Sequence, residues 1–208
     1  MLLYYITDRK QFPGDDLERR GRLLEKIAEA ARCGVDCVQL REKDLPARDL
    51  EILAREAMER IRASGGKTRL LMNSRTDVAL AAGADGLHLR SSDVSPEVVR
   101  EIWSAGNGSS QPIAAVSCHT AAEVLAAEKS GADFVVFGPV FGKKNAPAMG
   151  ATGLDLLRKV CGSGIPVFAL GGVTSKNAAL CIDAGAKGIA GIRLFQENNM
   201  AAAVAQLR

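Results

Sequence analysis

Four stretches of the chain share one pattern: "CGVDCVQL" from Cys33, "AGADGLHL" from Ala82, "SGADFVVF" from Ser130 and "AGAKGIAG" from Ala184. In each, a stretch with helical periodicity closes on glycine, an acidic residue or a lysine follows, and a short apolar run begins. Glycine suits the stop because helices commonly end on a residue in the left-handed conformation, which glycine adopts without steric cost. Stops of this kind before every second apolar run predict a chain built of paired βα units.

The apolar runs are "LLYYIT", "CVQLRE", "RLLMNS", "GLHLR", "IAAVSC", "FVVFGPV", "PVFALGG" and "GIAGIRLF", with helical periodicity between them. Near-continuous apolar runs mark strands buried on both faces. Their alternation with helices predicts an α/β fold, a parallel sheet closed into a (β/α)8 TIM barrel and formed as a single domain over residues 1–208. An open doubly wound sheet is the competitor, but the first run is followed by "ITDRKQFPGDD" and no dinucleotide fingerprint. The C-terminal "MAAAVAQLR" predicts the last barrel helix, and Gly106 to Pro112, with "GSSQ" inside it, a loop or insertion before the fifth strand.

Composition narrows the function. At 208 residues, 47% of them hydrophobic, the chain can bury one sizeable core. A formal net charge of +3 with scattered Lys and Arg and 4% aromatics argues against nucleic acid and leaves small anions as ligands. Cys33, Cys37, Cys118, Cys161 and Cys181 lack metal-ligand spacing and read as small apolar side chains in a reducing compartment. With no basic leader and no window near the roughly 20 apolar residues of a membrane span, a cytoplasmic protein is expected.

Barrels carry their active sites at the C-terminal ends of the strands. The residues there are Asp8; Gln39, Arg41 and Lys43; Asn73 and Arg75; His88, Arg90 and Asp93; Ser117 and His119; Lys143 and Lys144; and the loops at Gly171, Gly172 and Gly191 to Arg193, with Ile192 between. In "VQLREK", alternation would send Gln39, Arg41 and Lys43 to one side, where two cations call for an anion or for an ion pair with Asp8 or Glu42. "FALGGV" and "IAGIR" supply glycines in the two loops where barrels often hold phosphate, and Thr174 is placed to cap the helix that follows. His88, between Leu87 and Leu89, reads as an inward, structural residue, while His119 lies beyond its strand in reach of substrate. For a metal, Asn73, Ser74 and Asp93 offer scattered oxygens.

Taken in order, "ITD", "VQLREK", "MNSRTDVALAAGADGLHL", "AVSCHTAAEVLAAEKSGADFVVFGPVF", "KK" and "PVFALGGVTSKNAALCIDAGAKGIA" resemble the thiamin phosphate synthase and thiazole tautomerase (TenI) superfamily over nearly the whole chain. The resemblance implies a barrel, usually a homo-oligomer, that handles thiazole phosphate. In the synthase pattern Gln39, Arg41, Lys43 and Asn73 hold a pyrophosphate with Mg2+, Asp93 being a metal ligand and Lys144 catalytic. Ser117 and Lys143 join the binding set, and "LGGVT" with Gly191, Ile192 and Arg193 takes the thiazole phosphate. Four departures stand out: Ser74 replaces a metal-binding Asp, Arg90 and Ser91 replace a Gly-Gln, the loop holding Lys143 and Lys144 lacks two threonines, and Arg193 replaces a serine. They favour a metal-free thiazole tautomerase with His119 as its acid-base group. "MNSRTD" and "SPEVVR" point the same way, whereas Asp93 and Pro139 favour the alternative, a Mg2+-dependent thiamin phosphate synthase. A non-catalytic thiazole-phosphate-binding regulator is the third reading.

Overall fold

The computed structural model describes residues 1–65, 67–106, 111–142 and 150–208. Each apolar run becomes a strand: β1 Leu2–Ile6, β2 Cys37–Leu40, β3 Arg69–Asn73, β4 Gly86–Arg90, β5 Ile113–Cys118, β6 Phe134–Phe137, β7 Val167–Ala169 and β8 Gly188–Gly191. All pair in parallel in chain order, and β8 returns to β1 with Leu3 opposite Ile189. The sheet is therefore a closed (β/α)8 barrel without edges, and the open doubly wound alternative is ruled out. Between the strands run α1 Asp16–Arg32, α2 Ala47–Ala63, α3 Thr76–Ala82, α4 Pro96–Ala105, α5 Ala121–Lys129, α6 Gly150–Val160, α7 Ala178–Asp183 and the short α8 Arg193–Gln196. The last helix, α9 Met200–Leu207, is the one expected at the C-terminus. Of the "GSSQ" insertion, Gly108 to Ser110 lie outside the described residues.

Side-chain alternation divides the core in two. Tyr4, Ile6, Cys37, Leu71, Ala115, Phe134, Val136, Phe168 and Ala190 fill the barrel, with Tyr4 edge-on to Phe134 at 5.7 Å between ring centres. Leu3, Tyr5, Val38, Leu40, Leu70, Met72, Leu87 and Leu89 pack outward against the helices. Three of the five cysteines, Cys37, Cys118 and Cys181, are buried in these layers, and all five are free thiols.

The repeated pattern has a structural cause. Gly34, Gly83, Gly131 and Gly185 all have positive φ, between 66 and 103°, and turn each chain from helix to strand at the bottom of the barrel. Two residues later, the Asp36, Asp85 and Asp133 carboxylates accept the Leu3, Leu70 and Ala114 backbone N–H groups at 2.7–2.8 Å. Each carboxylate thus staples an odd strand to the next even one. In the fourth repeat Lys187 donates its backbone N–H to Val167 O, the same ladder bond, but brings no carboxylate.

Candidate active site

The barrel interior is polar toward the mouth. Gln39, buried at the top of β2, donates from Nε2 to Asn73 Oδ1 at 2.9 Å, so two of the expected residues meet across β2 and β3. Below them Tyr4 Oη lies 2.8 Å from His88 Nδ1, and His88 Nε2 lies 2.6 Å from Ser117 Oγ. Tyr4 is fully buried and its hydroxyl has no other partner among the described residues. Its proton must therefore go to Nδ1, which assigns the Nε2–H tautomer and makes Ser117 the acceptor of that hydrogen. The Ser117 hydroxyl proton is then not used in this chain. Burial, then repulsion from Arg41, holds the His88 ring down at a pKa of about 3 against an opposing pull from Asp93, so the chain runs through a neutral imidazole. The inward, structural position expected of His88 is the one observed.

Arg41 and Lys43 do not continue the strand, because β2 ends at Leu40 and both lie in the loop that follows. The expected ion pairs with Asp8 or Glu42 do not form: among the described residues neither cation has a salt-bridge partner. Glu42 is buried against the Arg9 guanidinium at 3.2 Å, with Thr7 Oγ1 donating to it at 2.6 Å. Asp8 instead accepts from Gln11 Nε2. Repulsion from Arg41, followed by burial and repulsion from Arg90, lowers the pKa of the Lys43 amine. Like charges held this close call for an anion. Lys43, Asn73, Ser74, Arg75 and Arg90 share the walls of a hollow of about 210 Å³ at this side of the mouth with Glu42 and three leucines.

On the far side, Gly171 and Gly172 have φ of 96° and 66°, and a Cβ on either would come within 2.7 Å of Pro139 or Phe141. These glycines are needed to let the loop after β7 lie against the loop after β6, where Val140 N and Phe141 N donate to Leu170 O and Gly171 O. Gly191 is buried at the end of β8, Ile192 is half-buried, and Arg193 is exposed at the start of α8. Thr174 is not the side-chain cap of α7; Asn177 Oδ1 accepts the Thr174 N–H instead. His119 is exposed just past β5, its Nδ1 bonded to Gly138 O at 2.5 Å and its backbone N–H held by Glu123. Lys143 and Lys144 lie outside the described residues.

The residues 3–195 match the family model described as thiamine monophosphate synthase. This chain belongs to the thiamine monophosphate synthase family. It is 46% identical over 190 residues to a putative thiamine-phosphate synthase of Geobacter sulfurreducens, covering 90% of this chain and 83% of the relative. It is 40% identical over 196 residues to putative thiamine-phosphate synthase 2 of Aquifex aeolicus, covering 94% and 97%. Its fold superposes on thiamine phosphate pyrophosphorylase from Pyrococcus furiosus with a TM-score of 0.80 and 32% identity, across 100% of this chain and 93% of that one.

Within the thiamine monophosphate synthase family a Mg2+ ion is the implied cofactor, and the donor set here does not fit one. Asp93 Oδ1 accepts from Arg90 Nε at 3.0 Å and lies 2.8 Å from Arg90 Nη2 in an ion pair, and Oδ2 accepts from Ser74 Oγ at 2.6 Å and Arg90 N at 2.9 Å. Three hydrogen bonds and a guanidinium ion pair thus already engage this carboxylate, and with Ser74 in the second position no other carboxylate stands beside it. Burial raises the Asp93 pKa, but the bonds from Arg90 and Ser74 outweigh it and the net shift is downward.

Sequence reasoning missed Tyr4, which fixes the His88 tautomer, and the Thr7–Arg9–Glu42 network that joins the loops after β1 and β2. It also missed Gln196, whose side chain holds Tyr5 Oη and both backbone groups of Asp8. A tyrosine at an inward position of β1 was the one available signal. The Arg9 and Gln196 contacts join residues far apart in sequence and leave no local pattern. Among the described residues no helix is long and apolar enough to cross a membrane.

Proposed function

We propose that this barrel joins hydroxymethylpyrimidine pyrophosphate to thiazole phosphate, forming thiamin phosphate and releasing pyrophosphate. What supports this reading is that two separate groups of residues suited to anions stand on one mouth. Arg41, Lys43, Gln39 and Asn73 stand over β2 and β3, and the glycine loop at Gly171 and Gly172, with Arg193, stands over β7 and β8. A ring isomerisation needs one phosphate site; a condensation of two phosphorylated molecules needs two. Synthase names among the relatives support the same reading and shift the preference away from the tautomerase.

In this reaction the ring nitrogen of the thiazole attacks the pyrimidine methylene, the C–N bond forms, and the C–O bond breaks with its electron pair passing to pyrophosphate. No proton need move. Catalysis then rests on meeting the charge that develops on the leaving oxygen, and Arg41 and Lys43, with no internal carboxylate partner among the described residues, are the cations proposed to meet it. The Gln39–Asn73 pair fixes polar groups at the floor of the same region, and Ser117 presents its hydroxyl proton beside them.

His119 favours a second reading. With Nδ1 donating to Gly138 O, its Nε2 lone pair, without a partner among the described residues, could take a proton from a thiazole, as a tautomerase requires. Purified protein supplied with both substrates, and with each alone, separates the two. Thiamin phosphate and pyrophosphate appearing in equal amounts is the expected result. Isomerised thiazole phosphate without thiamin phosphate, lost in His119→Asn, would establish the tautomerase instead.

A further inference from the structure

The family's pattern pairs two carboxylates around a metal; here one of them is Ser74 and the other, Asp93, is already neutralised from within the chain. We propose that Arg90 takes the place of a divalent cation in this barrel, so that the pyrophosphate group is bound by Arg90, Arg41 and Lys43 without a metal. This rests on the synthase reading for the identity of the anion.

Three features carry the inference. Ser74 adopts φ 58°, an uncommon conformation for a non-glycine residue, with its N–H bonded to His88 O and its hydroxyl aimed at Asp93 Oδ2. Asp93 is nearly enclosed, its side chain 12% exposed, whereas that of Arg90 is 67% exposed. Arg90 donates from Nε to Asp93 Oδ1, with Nη2 2.8 Å from the same oxygen, and a guanidinium has five N–H bonds, so among the described residues the outer Nη edge remains for a ligand. That side chain lines the same hollow as Lys43 and Asn73. Asp93 therefore acts as the anchor of an arginine, where a metal site would use it as a ligand.

A guanidinium fork suits phosphate oxygens, binding them in pairs with charge-assisted hydrogen bonds. It is also permanent: unlike a metal held by substrate and one carboxylate, it needs no assembly at each turnover. Lys43 and Arg90 stand on the walls of one hollow, where a single anion would meet both.

Calorimetric titration of the full chain with inorganic pyrophosphate, in EDTA and in excess Mg2+, tests this without requiring turnover. Wild-type affinity is expected to agree within about two-fold between the two conditions, and Arg90→Ala to weaken it by about ten-fold or more in EDTA, the loss expected of a charge-assisted pair. Arg90→Lys should recover part of that loss. The double variant Ser74→Asp, Arg90→Gly, which rebuilds the two carboxylates, is expected to bind only with Mg2+. Wild-type binding that disappears in EDTA would overturn the proposal, as would an Arg90→Ala protein that binds like wild type; the first comparison needs no variant to fold. Thiamin phosphate formation assayed alongside separates the two readings. Metal-independent pyrophosphate binding without condensation would remove the synthase function and keep the Arg90 site, and condensation that requires Mg2+ would do the reverse.

Discussion

His88 is the residue on which local chemistry and stability meet most directly. Closed off from water between Tyr4 and Ser117, it is held neutral, with a pKa of about 3 against an ordinary 6.5. The sign follows from proton counts: between those values the unfolded chain binds a proton that the folded chain refuses, so stability present above about pH 6.5 is lost as the pH falls toward 3. Urea unfolding at pH 7 and pH 4.5 should show a loss of roughly 2–3 kcal/mol from this group. His88→Gln should flatten that slope, and an unchanged slope in the variant would assign the acid sensitivity elsewhere. At this scale Gln39, Asn73 and His88 were legible because strand alternation is a strict rule and all three sit inside or at the end of a strand. Arg41 and Lys43 were only half legible. Alternation stops with the ladder at Leu40, and Glu42 finds its partner in Arg9, 33 positions away, which no local pattern reveals.

At the scale of elements, the strands were readable because burial on both faces turns each into an apolar run. The helices differed. α1 and α5 carry capping boxes, Asp15 with Glu18 and Thr120 with Glu123, which mark their starts in sequence. The six-residue α7 and four-residue α8 are too short to show a helical period, which is why Thr174 was misread as a cap. The Gly-x-Asp repeat announced paired βα units, but the pairing agent was hidden: the carboxylate that bonds the preceding strand's backbone. Asp85→Ala would leave Leu70 N–H, in a fully buried residue, without its acceptor and Arg69 without its ion-pair partner. A cost of about 1–3 kcal/mol is expected, most of it from the unmet backbone group, with the exposed ion pair adding little. Asp85→Asn keeps an acceptor and should lose less. Equal losses in the two variants, measured by urea unfolding, would show that charge and not the hydrogen bond holds the staple.

For the whole molecule, the staples divide the barrel into four strand pairs, three fastened by aspartate and one, β7 with β8, by the backbone alone. β7 is also the shortest strand, three residues long. Local opening should therefore begin there. Hydrogen exchange is expected to show weaker amide protection in Val167–Ala169 and Gly188–Gly191 than in the β1–β2 and β3–β4 pairs, and uniform protection around the ring would contradict this. All three staple carboxylates lie on the rim opposite the one that carries Arg41, Lys43 and Arg90. Inheritance can treat the two rims differently. A lineage could exchange Ser74 or Arg90, and with them the way an anion is held, while the aspartates that keep the ring closed pass on unaltered, so that new chemistry can be tried on this scaffold without first surviving a loss of fold.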